Sequence, residues 1–212
     1  MLLLIDLDNT LVDRSAAFRR WSERWAREQG GDEDDVAWLI ATDNDGYEPR
    51  ERFAARIGER FGLPADRVLP ELRAGMVEQL ELDPEVAGAL GEAVAAGWSP
   101  VVVTNGSVRQ QEAKLRHTGL DRLVAGWVVS EGAGVAKPDR RIFELAAEVV
   151  HQPLTGWMIG DHPEYDVGGG AAVGLATVWL RRGRTWPDGL GYRPSQVADD
   201  CATAIRGLLG NG

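Results

Sequence analysis

The stretch Leu2-Leu3-Leu4-Ile5-Asp6-Leu7-Asp8-Asn9-Thr10-Leu11 constrains the fold more than any other part of this chain. Four consecutive apolar residues read as a short strand buried on both faces, the pattern of a parallel sheet. Two carboxylates spaced i, i+2 end it. On an extended backbone that spacing aims Asp6 and Asp8 at one small volume beyond the strand's carboxyl end, where open α/β sheets place their ligands. Adjacent like charges repel, and a divalent cation is the usual compensation. A carboxylate there can also act as a nucleophile and accept a phosphoryl group. A surface turn with solvated acids is the plainer alternative, but it leaves unexplained why acids close so apolar a run.

The chain after Leu11 changes character. Apolar residues at helical spacing predict helices over 14–29 (Ala17, Phe18, Trp21, Trp25), 32–41 (Val36, Leu39, Ile40), 48–61 (Phe53, Ile57, Phe61) and from Pro64 to the break at Leu82-Asp83-Pro84 (Val68, Leu69, Leu72, Met76). No alternating pattern interrupts them. Residues 14–83 are therefore expected to be a helical insertion. From Pro84 onward helices alternate with strands expected at 100–104, 127–130, 156–160 and 176–180, and a closing helix is expected over 196–209. This order predicts a doubly wound, parallel five-stranded α/β sheet with right-handed crossovers. Its core domain comprises residues 1–13 and 84–212.

A chain of 212 residues can bury a sizeable core. Its net charge of −10 opposes nucleic acid or an anionic membrane as partner, since both would be repelled. An anionic substrate would need a metal and local cations to overcome that field. The single cysteine, Cys201, excludes an intramolecular disulfide, and the opening Met-Leu-Leu-Leu-Ile lacks the basic flank and length of an export signal or membrane span. Both features lead to the expectation of a cytoplasmic protein.

Polar residues recur where later strands end. Thr104-Asn105-Gly106 offers a hydroxyl, an amide and a glycine through which backbone N–H groups can approach a phosphate, with Ser107 at a helix start behind; an ordinary turn has the same composition. Lys137-Pro138-Asp139 stands before the next helix, its proline suited to the first helical position. A cation there could neutralise a nucleophilic carboxylate and a transferring phosphoryl group, or it is a solvated lysine. Gly160-Asp161-His162-Pro163-Glu164-Tyr165-Asp166 follows the fourth strand with two more acids, oxygen ligands suited to Mg²⁺. Asp166 could equally N-cap the following helix.

Asp6-Leu7-Asp8-Asn9-Thr10, Thr104, Lys137 and Asp161…Asp166 occur in the order, and on the element types, of the haloacid dehalogenase (HAD) superfamily of phosphohydrolases, which the chain resembles over almost its whole length. The stretch from Asp166 to Leu180 is similar to the segment after that family's last motif, and the helical block resembles its C1-type cap. The resemblance implies a sheet order 5-4-1-2-3 and a cap that shapes the substrate pocket. It implies Asp6 as nucleophile and Asp8 as the acid and base serving the leaving alcohol and then water. Mg²⁺ would be held by Asp6, the Asp8 carbonyl and Asp161, with Asp166 near. Asn9, Thr104, Asn105 and Gly106 would hold the phosphate, Lys137 would balance charge, and Thr10 would orient the loop. The family's dehalogenases lack an acid at the place of Asp8, so the resemblance implies a Mg²⁺-dependent phosphatase of a small phosphorylated metabolite, with a sugar-phosphate mutase as the alternative on the same parts and a dehalogenase behind both.

Other features carry less. Thr42-Asp43-Asn44-Asp45-Gly46 resembles a calcium loop but has Ala41 and Arg52 where the first and twelfth ligands belong. Asp43, Asp45, Tyr47 and Arg50 remain candidates for substrate contact, as does the loop with Arg181, Arg182, Arg184 and Trp186. Of the three histidines only His162 falls near the motifs.

Overall fold

The computed structural model describes residues 1–210; Asn211 and Gly212, the end of the 84–212 segment, lie outside the described residues. The chain divides into two compact units, residues 1–12 with the chain from Leu82 onward, and residues 13–81.

The larger unit is built on β1 (Leu2–Ile5), α5 (Pro84–Ala95), β2 (Ser99–Thr104), α6 (Val108–Thr118), β3 (Gly126–Val129), α7 (Ser130–Ala133), α8 (Arg140–Val149), β4 (Gly156–Gly160), α9 (Gly169–Ala172), β5 (Ala176–Leu180), β6 (Gln196–Ala198) and α10 (Cys201–Leu209). Its sheet is wholly parallel in the order β3-β2-β1-β4-β5-β6. The first five strands stand in the expected succession, and a sixth extends the edge. The expected closing helix over 196–209 is corrected accordingly: its first residues form β6, and α10 starts at Cys201 behind the Asp200 cap. A three-residue, half-exposed edge strand has no apolar run by which to announce itself.

β1 lies between β2 and β4, with Leu2 opposite Ser99 and Gly156, and Ile5 opposite Val102 and Ile159. Buried on both faces, its four residues sort by parity. Leu2 and Leu4 join Val101, Val103, Met158 and the α8 residues Ile142 and Phe143 in one cluster. Leu3 and Ile5, equally buried, point to the other face, where α5 and α10 pack on each other. At roughly 25 cal/mol per Å² of apolar surface removed from water, such a doubly covered strand is held firmly, and so is the position of its carboxyl tip.

The smaller unit has α1 (Arg14–Glu28), α2 (Glu33–Asp43), α3 (Arg50–Phe61) and α4 (Ala65–Glu78). α1 starts at an Asp13 cap and α2 at a capping box between Asp32 and Asp35. Phe18, Trp21, Trp25, Leu39, Phe53, Ile57, Leu72 and Met76 form their common core. Trp25 sits edge-on to Phe61 at 4.9 Å, its indole N–H donating to Glu71 at 2.8 Å. Among the described residues no helix is long and apolar enough to cross a membrane.

Candidate active site

The strand carrying the first motif stops at Ile5. The Asp6 N–H still donates to the Ile159 carbonyl at 2.9 Å, but the Leu7 carbonyl then accepts from Thr10, Leu11 and Val12, turning the chain over. Asp6 and Asp8 therefore leave on a turn rather than on an extended run, with Asn9 at φ 60 in the middle of it. The side chains part company. Asp6 joins the acids after β4, whereas Asp8 faces α6.

Asp6, Asp161 and Asp166 each offer an oxygen within 4.8 Å of the others, all three buried. Lys137 Nζ lies between two of them, 2.6 Å from Asp6 Oδ1 and 2.7 Å from Asp166 Oδ1. The lysine is 4% exposed, so the solvated alternative is excluded. Burial pushes the Asp6 carboxyl up to about 8, with Asp166 and Asp161 adding to the rise and the Lys137 ammonium opposing it. Burial also works against the Lys137 charge, but Asp166 and Asp6 outweigh it and hold its pKa above the ordinary lysine value.

Several local devices hold this cluster. Asn105 clamps the main chain of Lys137 in both directions: its amide donates to the Lys137 carbonyl at 3.1 Å and its oxygen accepts from the Lys137 N–H at 2.9 Å. The helix that follows begins at Arg140 behind an Asp139 cap, so Pro138 lies in the preceding turn and not at the expected first helical position. Asp166 stands within a π-helical turn, Pro163–Gly168, and the capping place that the sequence offers it as an alternative is taken by His162, whose Nδ1 accepts from the N–H groups of Glu164 and Tyr165. The His162 N–H donates to Asp166 Oδ2 at 2.9 Å. Burial pushes the His162 pKa down, in keeping with the acceptor role of Nδ1. Gly160 makes room for the acid: a Cβ there would come within 2.2 Å of Asp166 Oδ2. Asp161 is gripped from the loop after β5, Arg184 donating to its Oδ2 at 2.9 Å and to its carbonyl at 2.8 Å, and Trp179 donating to the same carbonyl at 2.9 Å.

Asp8 has its own partners. Lys114 Nζ lies 2.8 and 2.6 Å from its two oxygens, and Gln111 Nε2 donates to Oδ2 at 3.0 Å and to Thr104 Oγ1 at 2.6 Å. Neither Gln111 nor Lys114 is evident from the sequence alone, since a helix reading VRQQEAKLRHT looks solvated. The only hint is that a helix after a buried strand needs an inward stripe and this one offers few apolar residues for it. Ser107 caps that helix through Gln110. The Gly106 N–H, at φ 144, donates to Ser130 Oγ at 2.9 Å, and Thr10 Oγ1 is buried without a hydrogen-bond partner. In the smaller unit Asp43, 1% exposed, accepts from Arg14 at 2.8 Å, Arg50 at 2.7 Å and the Gly46 N–H at 2.9 Å, whereas Tyr47 is exposed.

The oxygen-only donor set of Asp6, Asp161 and Asp166 fits a small hard cation such as Mg²⁺, which takes one or a few carboxylates and keeps several waters. Formally, the four carboxylates Asp6, Asp8, Asp161 and Asp166 face Lys114, Lys137 and Arg184, leaving one negative charge. A divalent ion would reverse that sign.

Comparison with known proteins identifies the family. The family model for haloacid dehalogenase-like hydrolases matches residues 1–174. The chain is 40% identical over 92 residues to the pyrimidine 5'-nucleotidase YjjG of Escherichia coli (42% of this chain, 41% of that one), and 34% identical over 137 residues to the phosphoserine phosphatase of Thermus thermophilus (63% and 55%). It thus spans about half the length of these relatives. More distant relatives include the (S)-2-haloacid dehalogenase 1 of a Pseudomonas species, 25% identical over 124 residues (58% and 55%). The solved HAD-hydrolase YfnB of Bacillus subtilis, bound to magnesium, shares the fold at a TM-score of 0.75 and 22% identity, covering 98% of each chain. This chain belongs to the haloacid dehalogenase-like hydrolases.

Proposed function

We propose that the chain is a Mg²⁺-dependent phosphatase of small phosphorylated metabolites that works through a phospho-aspartate on Asp6. The observation that carries this reading is the pairing of two acids two positions apart with separate lysines, Asp6 with Lys137 and Asp8 with Lys114. A dehalogenase has use for the first acid but not for an acid at the place of Asp8. A phosphatase needs both, one to attack and one to move protons.

An Asp6 oxygen attacks phosphorus as the ester P–O bond breaks. In its protonated form Asp8 passes that proton to the leaving oxygen, and the resulting carboxylate, paired with Lys114, takes one back from the water that attacks the phospho-aspartate, releasing phosphate and restoring Asp6. Lys137 balances charge on Asp6 throughout. Thr104, with the turn holding Asn9, faces the phosphoryl oxygens, while Asn105 keeps Lys137 in place. Asp6, Asp161 and Asp166, together with the Asp8 carbonyl, would hold Mg²⁺, which when bound would supply positive charge against that of the phosphate. Residues 14–83 are the cap that selects the substrate. The single buried Cys201 and the acidic composition suit the cytoplasm.

The test is hydrolysis of p-nitrophenyl phosphate, followed by a panel of nucleoside monophosphates, phosphoserine, sugar phosphates and 2-haloacids. Turnover should require Mg²⁺, stop with EDTA and vanish in Asp6→Asn, a loss of several orders of magnitude for a nucleophile. Halide release without phosphate release, or metal-independent turnover, refutes the reading. Interconversion of sugar phosphates without net phosphate release identifies the mutase.

A further inference from the structure

Lys114 is 4% exposed and Gln111 2%, yet neither belongs to the motifs that carry the proposed chemistry. A lysine is seldom buried this deeply, because its ammonium must leave water, and it stays charged inside only with a close counter-ion. Lys114 has that partner in Asp8, reaching both carboxylate oxygens at once. A carboxylate held at two oxygens by one ammonium cannot turn freely about its terminal bond. Gln111 adds a second constraint. One nitrogen donates to Asp8 and to the Thr104 hydroxyl, tying the acid to the tip of β2 where the phosphate cradle is expected. α6 thus joins two ends of the site that are 96 residues apart in sequence.

We propose that Lys114 and Gln111 are positioning residues for Asp8, fixing the orientation in which it meets the leaving oxygen. The assignment rests on Asp8 as the proton-transfer group of the phosphatase reading. Lys137 is already engaged by Asp6 and Asp166, so each of the two acids has a lysine of its own. Proton transfer tolerates little misalignment, and an acid free to swing delivers its proton less often.

The experiment uses the full Mg²⁺-loaded chain and esters of graded leaving ability, from p-nitrophenyl phosphate, whose phenolate departs without help, to phenyl and simple alkyl phosphates, whose alkoxides need the proton. The value of kcat/KM reports steps up to phosphorylation of Asp6. Lys114→Met keeps the buried stem and removes the charge. It should lower kcat/KM for the alkyl ester by roughly tenfold more than for p-nitrophenyl phosphate, acting on kcat rather than KM. The Mg²⁺-dependent rise in melting temperature should stay as in the wild type. Gln111→Met should act in the same direction to a smaller extent, and it carries the test if Lys114→Met does not fold. An equal fall for all esters, a change confined to KM, or a weakened Mg²⁺ response overturns the positioning role while leaving intact a phosphatase reading secured by Asp6→Asn. A wild-type chain that hydrolyses no phosphate ester overturns both.

Discussion

Asp6 is a carboxyl that its surroundings prefer to keep protonated, and in the proposed reaction it is the nucleophile, which must lose that proton. The unfolded chain would titrate it near 3.8, whereas burial in the folded chain moves it to about 8. Between those values the folded state holds a proton that the unfolded state has released. The contribution of Asp6 to stability is therefore greatest below its unfolded pKa and declines as pH rises toward 8. In EDTA, the melting temperature of the wild type should fall between about pH 5 and about pH 8 more steeply than that of Asp6→Asn. The variant should melt a few degrees higher at the upper end, since about 2–4 °C accompanies each kcal/mol in a chain of this size. Scanning fluorimetry at a series of pH values measures this, and parallel curves for the two proteins would disprove it. The acid is thus held at a cost to the fold, as is common where function and stability compete.

At the level of elements, strand tips deliver the chemistry and turns aim it. The approach of Asp166 to the end of β4 is possible because Gly160 has no side chain. Gly160→Ala should push Asp166 away from Lys137 and the His162 N–H, destabilising the chain by about 1–3 kcal/mol as an overpacked site does and shrinking the rise in melting temperature that Mg²⁺ produces. An unchanged Mg²⁺ response would show that Asp166 does not depend on that gap. The strands bearing these tips were legible in sequence because each is an apolar run closed by polar residues, and the motif acids and Lys137 were legible through their order. Three things were not. β6 is too short and too exposed for a pattern, and the π-helical turn around Asp166 has no sequence signature of its own. Lys114 and Gln111 look like solvent-facing helix residues, and only their distant partner Asp8, 106 and 103 residues away, makes them internal. Local spacing predicts neighbours along the chain; pairings at such separations come from topology.

For the molecule as a whole, a chain of net charge −10 carries a site proposed to take an anion. Repulsion at long range falls as salt shortens the Debye length from about 20–30 Å toward about 8 Å. The KM for a dianionic ester should therefore decrease modestly between about 0.02 M and about 0.15 M NaCl at constant Mg²⁺, as steady-state kinetics would register; a rising KM would mean that local cations dominate at all distances. The parallel order of the sheet, with β1 at its centre and β4 beside it, has a further consequence during synthesis. The ribosome makes Asp6 first and Asp166 160 residues later, an interval on the order of ten seconds or more at about 5–20 residues per second. Until Lys137 is made and the fourth strand docks against the first, the nascent polypeptide holds Asp6 without the full set of groups that surround it in the folded chain, so a half-translated product has no complete site.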